Sequence, residues 1–363
     1  MPKGLFIGIM SGTSLDGIDV ALCNITETTC TLEASFFMPF ENSLKEEILS
    51  IINGLTTIKQ IGEIDYKLAV VFAKAVNALL ERENLKPQDI VAIGSHGQTL
   101  WHEPNGETPF SMQLGNPSVL AVETGIDVVA DFRAKDVALG GQGAPFAPAF
   151  HQFLFSHLKS SAVLNIGGMS NISILGKELI GYDTGCGNVL MDMWILEHKG
   201  LAYDKDGTWA KSGTVHDELL NNILNDKYFN LKYPKSTGRE YFNKKFLINY
   251  LDSFDRIPKE DIQATLLAVT VQSIANEVKK FNIKELLLCG GGANNIFLVS
   301  ELQKLLPKVD VKKTDDYNIN SDDLEAMIFA WFAYMRLREK PVALKSVTGA
   351  KRSTILGGLY AKS

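Results

Sequence analysis

Two polar turns have the composition to hold phosphate, a third glycine-rich segment suits a flat group beside them, and one aspartate is placed to move a proton. Gly12-Thr13-Ser14-Leu15-Asp16-Gly17-Ile18-Asp19 sets glycines and hydroxyls between two apolar runs. A phosphate chain needs several N–H donors at short range, and such a turn exposes its amides with little Cβ obstruction. The segment carries no lysine and opens no helix, so neither the P-loop nor the dinucleotide-binding fingerprint is present. An ordinary hairpin turn is its plain alternative. Asn165-Ile166-Gly167-Gly168-Met169-Ser170-Asn171 is a second turn of this kind, suited to gripping the same phosphates from the opposite side. Gly290-Gly291-Gly292, with Asn294 and Asn295 after it, suits close backbone approach to adenine or ribose. Its plainer reading is a loop before a helix, with one asparagine as the cap.

Asp183 lies in Gly181-Tyr182-Asp183-Thr184-Gly185-Cys186-Gly187-Asn188, read as a Gly-flanked loop before the helical pattern 189–197. A carboxylate there can act as general base toward a bound acceptor; the alternative is a turn or helix cap. The D-T-G triplet also occurs in aspartic proteases, but those need two aspartates sharing a proton, and no second D-T-G exists here. A sugar site is suggested by His96, Gln98 and Thr99 in Ser95-His96-Gly97-Gln98-Thr99, at the end of an apolar strand. Arg133 follows the strand 127–130 and can hold a carboxylate bidentately. Trp101 offers a face for stacking. Each has a bland alternative: His96 as a satisfied loop histidine, Arg133 with Asp136 as a weak surface pair, and Trp101 as core or interface. Glu325, near the start of the last strong helix, is also a favourable charge at a helix N-terminus.

These residues need elements to carry them. Short apolar runs at 5–9, 18–25 and 31–37 predict three strands. Ser43 predicts a helix start, with Glu46 completing a capping box. The periodicity from Ile58 to Glu83 predicts a helix interrupted near Gly62. Ile90 to Ile93 predicts a buried strand. The second half repeats the plan: strands at 162–166 and 172–175 around a polar turn, helices including 259–280, a strand at 286–289, and a helix over about 322–338. Strands alternating with helices indicate an α/β fold. Two such halves facing each other would leave a ligand cleft. The expected division is 1–130 plus about 340–363 as the first lobe and 131–339 as the second.

The 363 residues suit two domains. At 45% hydrophobic and 21% charged, the chain can bury a sizeable core. The net charge of -6 argues against nucleic acid or anionic lipid as general partners. No apolar stretch has the length of a membrane span or signal-peptide core, and four scattered cysteines make no disulfide framework; a cytoplasmic setting is expected. The six histidines show no metal-binding spacing.

The ordered blocks G-I-M-S-G-T-S-L-D-G-I-D-V-A, S-H-G-Q-T, D-F-R-A-K-D-V-A-L-G-G-Q-G-A-P, N-I-G-G-M-S-N, D-T-G-C-G-N, C-G-G-G-A-N-N and S-V-T-G-A closely resemble those of anhydro-N-acetylmuramic acid kinases, over Gly8 to about Gly358. The resemblance implies an actin-like (ribonuclease H-like) duplicated fold with an interdomain cleft. It implies that Gly12 to Asp19 hold ATP phosphates, with Asn165, Gly167 and Gly168 as the second phosphate turn. Gly290, Gly291 and Asn295 would lie near the nucleoside, Asp183 would be the base, and His96, Arg133 and Glu325 would face an amino sugar. Mg2+ would come with ATP, with Asp16 or Asp19 reaching it through water. A homodimer is implied too. One departure is Cys186, where the family is expected to carry proline. The alternatives are a kinase of this fold for another sugar or a small carboxylic acid, and a non-catalytic ATP- or sugar-binding regulator; a base at Asp183 argues against the latter.

Overall fold

Near-continuous burial of Phe6 to Ile9 marks a central strand covered on both faces. In the computed structural model, which describes residues 4–362 apart from 13, 14, 55, 253, 255, 318, 320 and 322, that strand is β1 (Gly4–Ser11). Thr13 and Ser14, both expected in the first phosphate turn, lie outside the described residues. β2 (Gly17–Ile25) and β3 (Cys30–Pro39) complete an antiparallel meander. The chain continues through α1 (Asn42–Ile52), α2 (Ile58–Arg82), β4 (Ile90–Glu103), β5 (Phe110–Leu114), α3 (Pro117–Thr124), β6 (Val128–Ala130), α4 (Phe132–Ala138) and α5 (Ala147–Leu154). A second meander follows: β7 (Ser161–Ile166), β8 (Ser170–Ile174) and β9 (Ile180–Gly185). After it come α6 (Val189–Lys199), α7 (Thr208–Ser212), α8 (Asp217–Leu224), α9 (Lys244–Leu251), α10 (Lys259–Val278), β10 (Glu285–Cys289), α11 (Ile296–Leu305) and β11 (Asp310–Lys313). The chain closes with α12 (Leu324–Leu337), α13 (Lys345–Thr348) and β12 (Gly358–Tyr360).

The sheet orders are β12-β6-β4-β1-β2-β3, with β5 also paired to β4, and β11-β10-β7-β8-β9. In each sheet the first strand of the meander pairs antiparallel with the second and parallel with a strand that arrives after helices, β4 or β10. A further parallel strand, β6 or β11, extends the row. The same order and the same reversed second strand thus occur twice. This is the duplicated ribonuclease H-like plan of the actin-like fold.

The compact units are Met1–Leu154 with Asp323–Ser363, and Phe155–Asp322. Residues 131–154 and 323–339 therefore pack with the first unit, not the second as the sequence suggested. The reason is α12, which lies directly on the first sheet. A Cβ on Gly8 would sit 1.9 Å from the Ala326 carbonyl oxygen, and one on Gly94 would sit 1.9 Å from that of Phe329. Only glycine permits this approach of helix to strand.

Local expectations needed three other corrections. Ser43 and Glu46 form no capping box: α1 starts at Asn42 without a side-chain cap. The box lies at α2, where Gln60 N–H donates to Thr57 Oγ1 (3.3 Å) and Thr57 N–H donates to Gln60 Oε1 (2.8 Å). Gly62 interrupts nothing, since α2 runs unbroken. The segment Ser95 to Thr99 is not a strand terminus. β4 passes through it with Gly97 at φ +75° and continues to Glu103 because β5 pairs with its distal end.

Candidate active site

In the first unit, the turn after β1 is shaped by a side chain from the neighbouring strand. Gln98, fully buried, accepts from Ser11 Oγ (2.6 Å) and donates from Nε2 to the Gly12 carbonyl (3.3 Å). Its amide is spent on the turn rather than offered at the surface. Leu15 takes φ +57°, its N–H donates to the Gly12 carbonyl (3.3 Å), and its side chain is buried. Asp16 is exposed on the turn, Gly17 opens β2, Ile18 points into the core, and Asp19 is half-buried. Thr99 Oγ1 accepts from Gln113 Nε2 (3.3 Å).

His96 and Arg133 do meet. The guanidinium donates to His96 Nε2 from Nε (3.1 Å) and Nη2 (2.8 Å), and from Nη1 to the Gly143 carbonyl (2.6 Å). It also lies 5.0 Å over the Phe146 ring. Burial and the neighbouring guanidinium push the imidazole down to about 3, so it is a neutral acceptor at Nε2. Arg133 itself is lowered to about 10 by burial, opposed by the charges of Glu325 and Asp136. Asp136 makes no surface ion pair with it. Instead the buried Asp136 carboxylate accepts from Gly143 N–H (2.8 Å) and Thr348 Oγ1 (2.9 Å), so residues 133 and 136 hold opposite ends of the Gly143 peptide units. Glu325, at the start of α12, keeps solvent contact yet is densely surrounded; this raises its carboxyl, with Arg133 pulling the other way. Trp101 is half exposed, and its indole N–H donates to Glu103 Oε2 (2.8 Å).

In the second unit, the turn between β7 and β8 is braced by backbone. Gly167 N–H closes the turn on the Met169 carbonyl (3.1 Å). The carbonyls of Gly167 and Gly168 accept from Asn188 N–H (2.9 Å) and Val189 N–H (3.1 Å), at the start of α6. Asn188 Nδ2 adds a bond to the Ile166 carbonyl (3.2 Å). Gly187 makes this possible: at φ +49°, a Cβ there would lie 2.4 Å from the Gly167 oxygen. The outer face of Gly168 is open, and the nearest group is the Arg239 guanidinium, 3.9 Å from where a Cβ would stand. Cys186, expected as proline, packs fully buried, its Sγ 3.7 Å from Thr270 Oγ1, and burial pushes its thiol up to about 11.

Asp183 lies on β9, not on a loop. Its N–H donates to the Lys235 carbonyl (3.0 Å), and its own carbonyl accepts from Tyr228 Oη (2.8 Å). One carboxylate oxygen, Oδ2, accepts from Thr237 N–H (2.9 Å) and Ser236 Oγ (3.1 Å). Among the described residues, Oδ1 takes no protein hydrogen bond. Burial raises this carboxyl above the usual aspartate range, partly offset by the Thr237 and Ser236 bonds. Beyond β10 and past Gly290 (φ +77°), the exposed Gly291 borders a cavity of about 430 Å3 that Asn188, Asp192, Tyr203 and Asn295 also line. Asn295 Oδ1 accepts from Leu298 N–H (3.0 Å) and caps α11. Asp192 is raised to about 6 by burial and by the charge of Asp204, with Arg239 opposing.

The family model for anhydro-N-acetylmuramic acid kinase matches residues 4–362. The chain belongs to that family. A relative of that name from Sulfurovum sp. is 58% identical over 99% of this chain and 100% of its own. Relatives of the same name from Sulfurimonas denitrificans and Aliivibrio fischeri are 53% and 51% identical, each over 98% of this chain and over 99% and 98% of their own. Among solved structures, an activator of 2-hydroxyisocaproyl-CoA dehydratase from Clostridium difficile aligns over 92% of this chain and 96% of its own at 12% identity and TM-score 0.45. That likeness is too slight to carry an argument.

The glycine turns and Asp183 stand out as motifs along the chain. Arg239 does not: it sits in the polar stretch Lys235-Ser236-Thr237-Gly238-Arg239 and bears no periodicity. Nor does the bracing by Gly187 and Asp136. Their signal was present, a glycine or aspartate inside a family block, but their partners are remote backbone atoms.

Proposed function

We propose that this chain is an ATP-dependent kinase that opens 1,6-anhydro-N-acetylmuramic acid with water and places phosphate on O6, as part of cell-wall sugar recycling. The observation that carries this is the Asp183 carboxylate, fixed through Oδ2 and unclaimed at Oδ1. In a 1,6-anhydro sugar, O6 is tied into a bridge and carries no proton, so a base cannot activate it as it would an alcohol. Asp183 Oδ1 takes a proton from a water whose oxygen bonds to C1. The C1–O6 bond breaks, and the electron pair left on O6 forms a bond to the γ-phosphorus of ATP as the γ-phosphorus–oxygen bond breaks and ADP leaves. Raised by its burial, Asp183 is a stronger base than an exposed aspartate.

ATP supplies the phosphoryl group. Gly12 to Asp19, and Asn165, Gly167 and Gly168, contribute the amide-lined turns for its phosphates, and Arg239 adds a cation beside Gly168. Gly291 and Asn295 border the space for the nucleoside, with Gly290 next to Gly291 in the chain. No group of three or more His, Cys, Asp or Glu among the described residues is arranged to hold a metal directly; Mg2+ fits as an ion carried by phosphate, with Asp16 or Asp19 reaching it through water. Arg133, with neutral His96 as its acceptor, presents a fixed cation for the sugar's lactyl carboxylate, and Glu325 accepts from its hydroxyls or amide. Gln98 and Thr99 support this region through the turn and β5. A cytoplasmic homodimer belongs to the same proposal; among the described residues no helix is long and apolar enough to cross a membrane.

Incubation with ATP, magnesium and the anhydro sugar should yield N-acetylmuramic acid 6-phosphate and ADP by mass spectrometry. Turnover of glucose or acetate with none of the anhydro sugar would overturn the reading.

A further inference from the structure

The carboxylate of Asp183 is held by a strap, and the strap is held by a buried ion pair. Lys235 sits where the strap meets β9. Its carbonyl receives the Asp183 N–H, and the next two residues supply both donors to Asp183 Oδ2. Ser236 is exposed and Thr237 half-buried, so neither is fixed by packing alone. Lys235 is fixed: its side chain is 2% exposed, and Nζ donates to Glu277 Oε1 on α10 (2.7 Å) and to the Tyr228 carbonyl (3.5 Å). Glu277, 4% exposed, also accepts at Oε2 from Tyr182 Oη (3.0 Å) and Lys280 (2.5 Å). Tyr182 is the neighbour of Asp183 on β9, and its ring stacks on Tyr233 at 5.2 Å. One carboxylate on α10 therefore anchors both the strand that carries Asp183 and the strap that bonds its side chain.

We infer that Lys235 and Glu277 are positioning residues for the reaction, locking strap and strand so that Asp183 Oδ2 stays bonded and Oδ1 stays presented to the attacking water. This rests on the reading of Asp183 as the base. A buried lysine–glutamate pair is a costly way to stabilise a fold, because desolvation of both charges offsets much of their attraction. It is well suited to fixing one geometry, since Lys235 without Glu277 would be an uncompensated buried charge. Displacing a reacting group by an ångström costs about 10²-fold in rate. The charged and titratable groups facing Asp183 are Lys235, Glu240 and the Tyr228 phenol. Losing the Lys235 cation, or a donor to Oδ2, weakens the hold on the ionised form, so the rate should require higher pH.

The test uses the full chain with ATP, magnesium and the anhydro sugar, and follows kcat, both KM values and the acid limb of the kcat–pH profile. Lys235→Met should lower kcat by about 10²-fold, leave both KM values within about threefold, and move the acid limb upward. Lys235→Arg should restore part of the loss. Ser236→Ala removes an exposed hydroxyl and should fold normally. It should move the acid limb the same way, and it decides the matter if Lys235→Met does not fold. In an Asp183→Asn background, Lys235→Met should have no further effect on the residual rate. A Lys235→Met enzyme with altered KM or melting temperature but unchanged kcat and acid limb would overturn the inference. So would an unmoved acid limb in Ser236→Ala, or equal losses in the parent and Asp183→Asn backgrounds. Parental activity in Asp183→Asn alone would instead overturn the assignment of the base.

Discussion

The polar turn between β1 and β2 and the turn between β7 and β8 occupy the same place in the same strand order, yet they are braced by different means. In the first unit a buried side chain does it: Gln98 bonds Ser11 and the Gly12 carbonyl. In the second unit backbone does it, as the first amides of α6 hold the Gly167 and Gly168 carbonyls. Duplication has preserved the position of the turn but not the chemistry that stiffens it. The two turns should therefore fail to different substitutions.

The sharpest break is Gly187→Ala. The added methyl meets the Gly167 oxygen at 2.4 Å and has no flexible neighbour to displace. We expect a loss of about 1–3 kcal/mol in stability together with weakened nucleotide binding, read by thermal melting and by titration with ADP. Gln98→Leu comes next. It keeps the volume but leaves the buried Ser11 hydroxyl and Gly12 carbonyl short of a partner, costing about 1–3 kcal/mol. Its signature is disturbance around β1 and β4 in hydrogen exchange, with β7 to β9 unchanged; equal loss of protection in both units would dissolve the contrast. The smallest effect is a gain. Gly62 sits inside α2 with open space around it, so Gly62→Ala should stabilise by about 0.5–1 kcal/mol without touching either turn.

What could be read in the chain follows the range of the interactions. The apolar runs of β1, β2, β7 and β10 announced themselves because burial on both faces demands uninterrupted apolar residues. The glycine turns were visible between them, and Asp183 stood out by its glycine neighbours. β5 and β9 were not legible. Phe110-Ser111-Met112-Gln113-Leu114 is short and half polar, and β9 contains two glycines and the aspartate itself. The lobe boundary was misjudged because α12 is apolar on nearly every side, which says that it is buried but not against which sheet. Only the mutual fit of Gly8 and Gly94 with its backbone decides that. The parts of the site that escaped notice are pairs far apart in the chain. Lys235 and Glu277 are 42 residues apart, and Ser11 and Gln98 are 87 apart. No local pattern links them, because folding alone brings them together.

The role of Asp183 is tested most directly by Asp183→Asn, an exchange that keeps the shape of the side chain and removes its basicity. ADP should bind the variant as it binds the parent, while formation of the 6-phosphate sugar falls by at least about 10²-fold. A variant that binds nucleotide normally and still forms product within a few-fold of the parental rate would contradict Asp183 as the base.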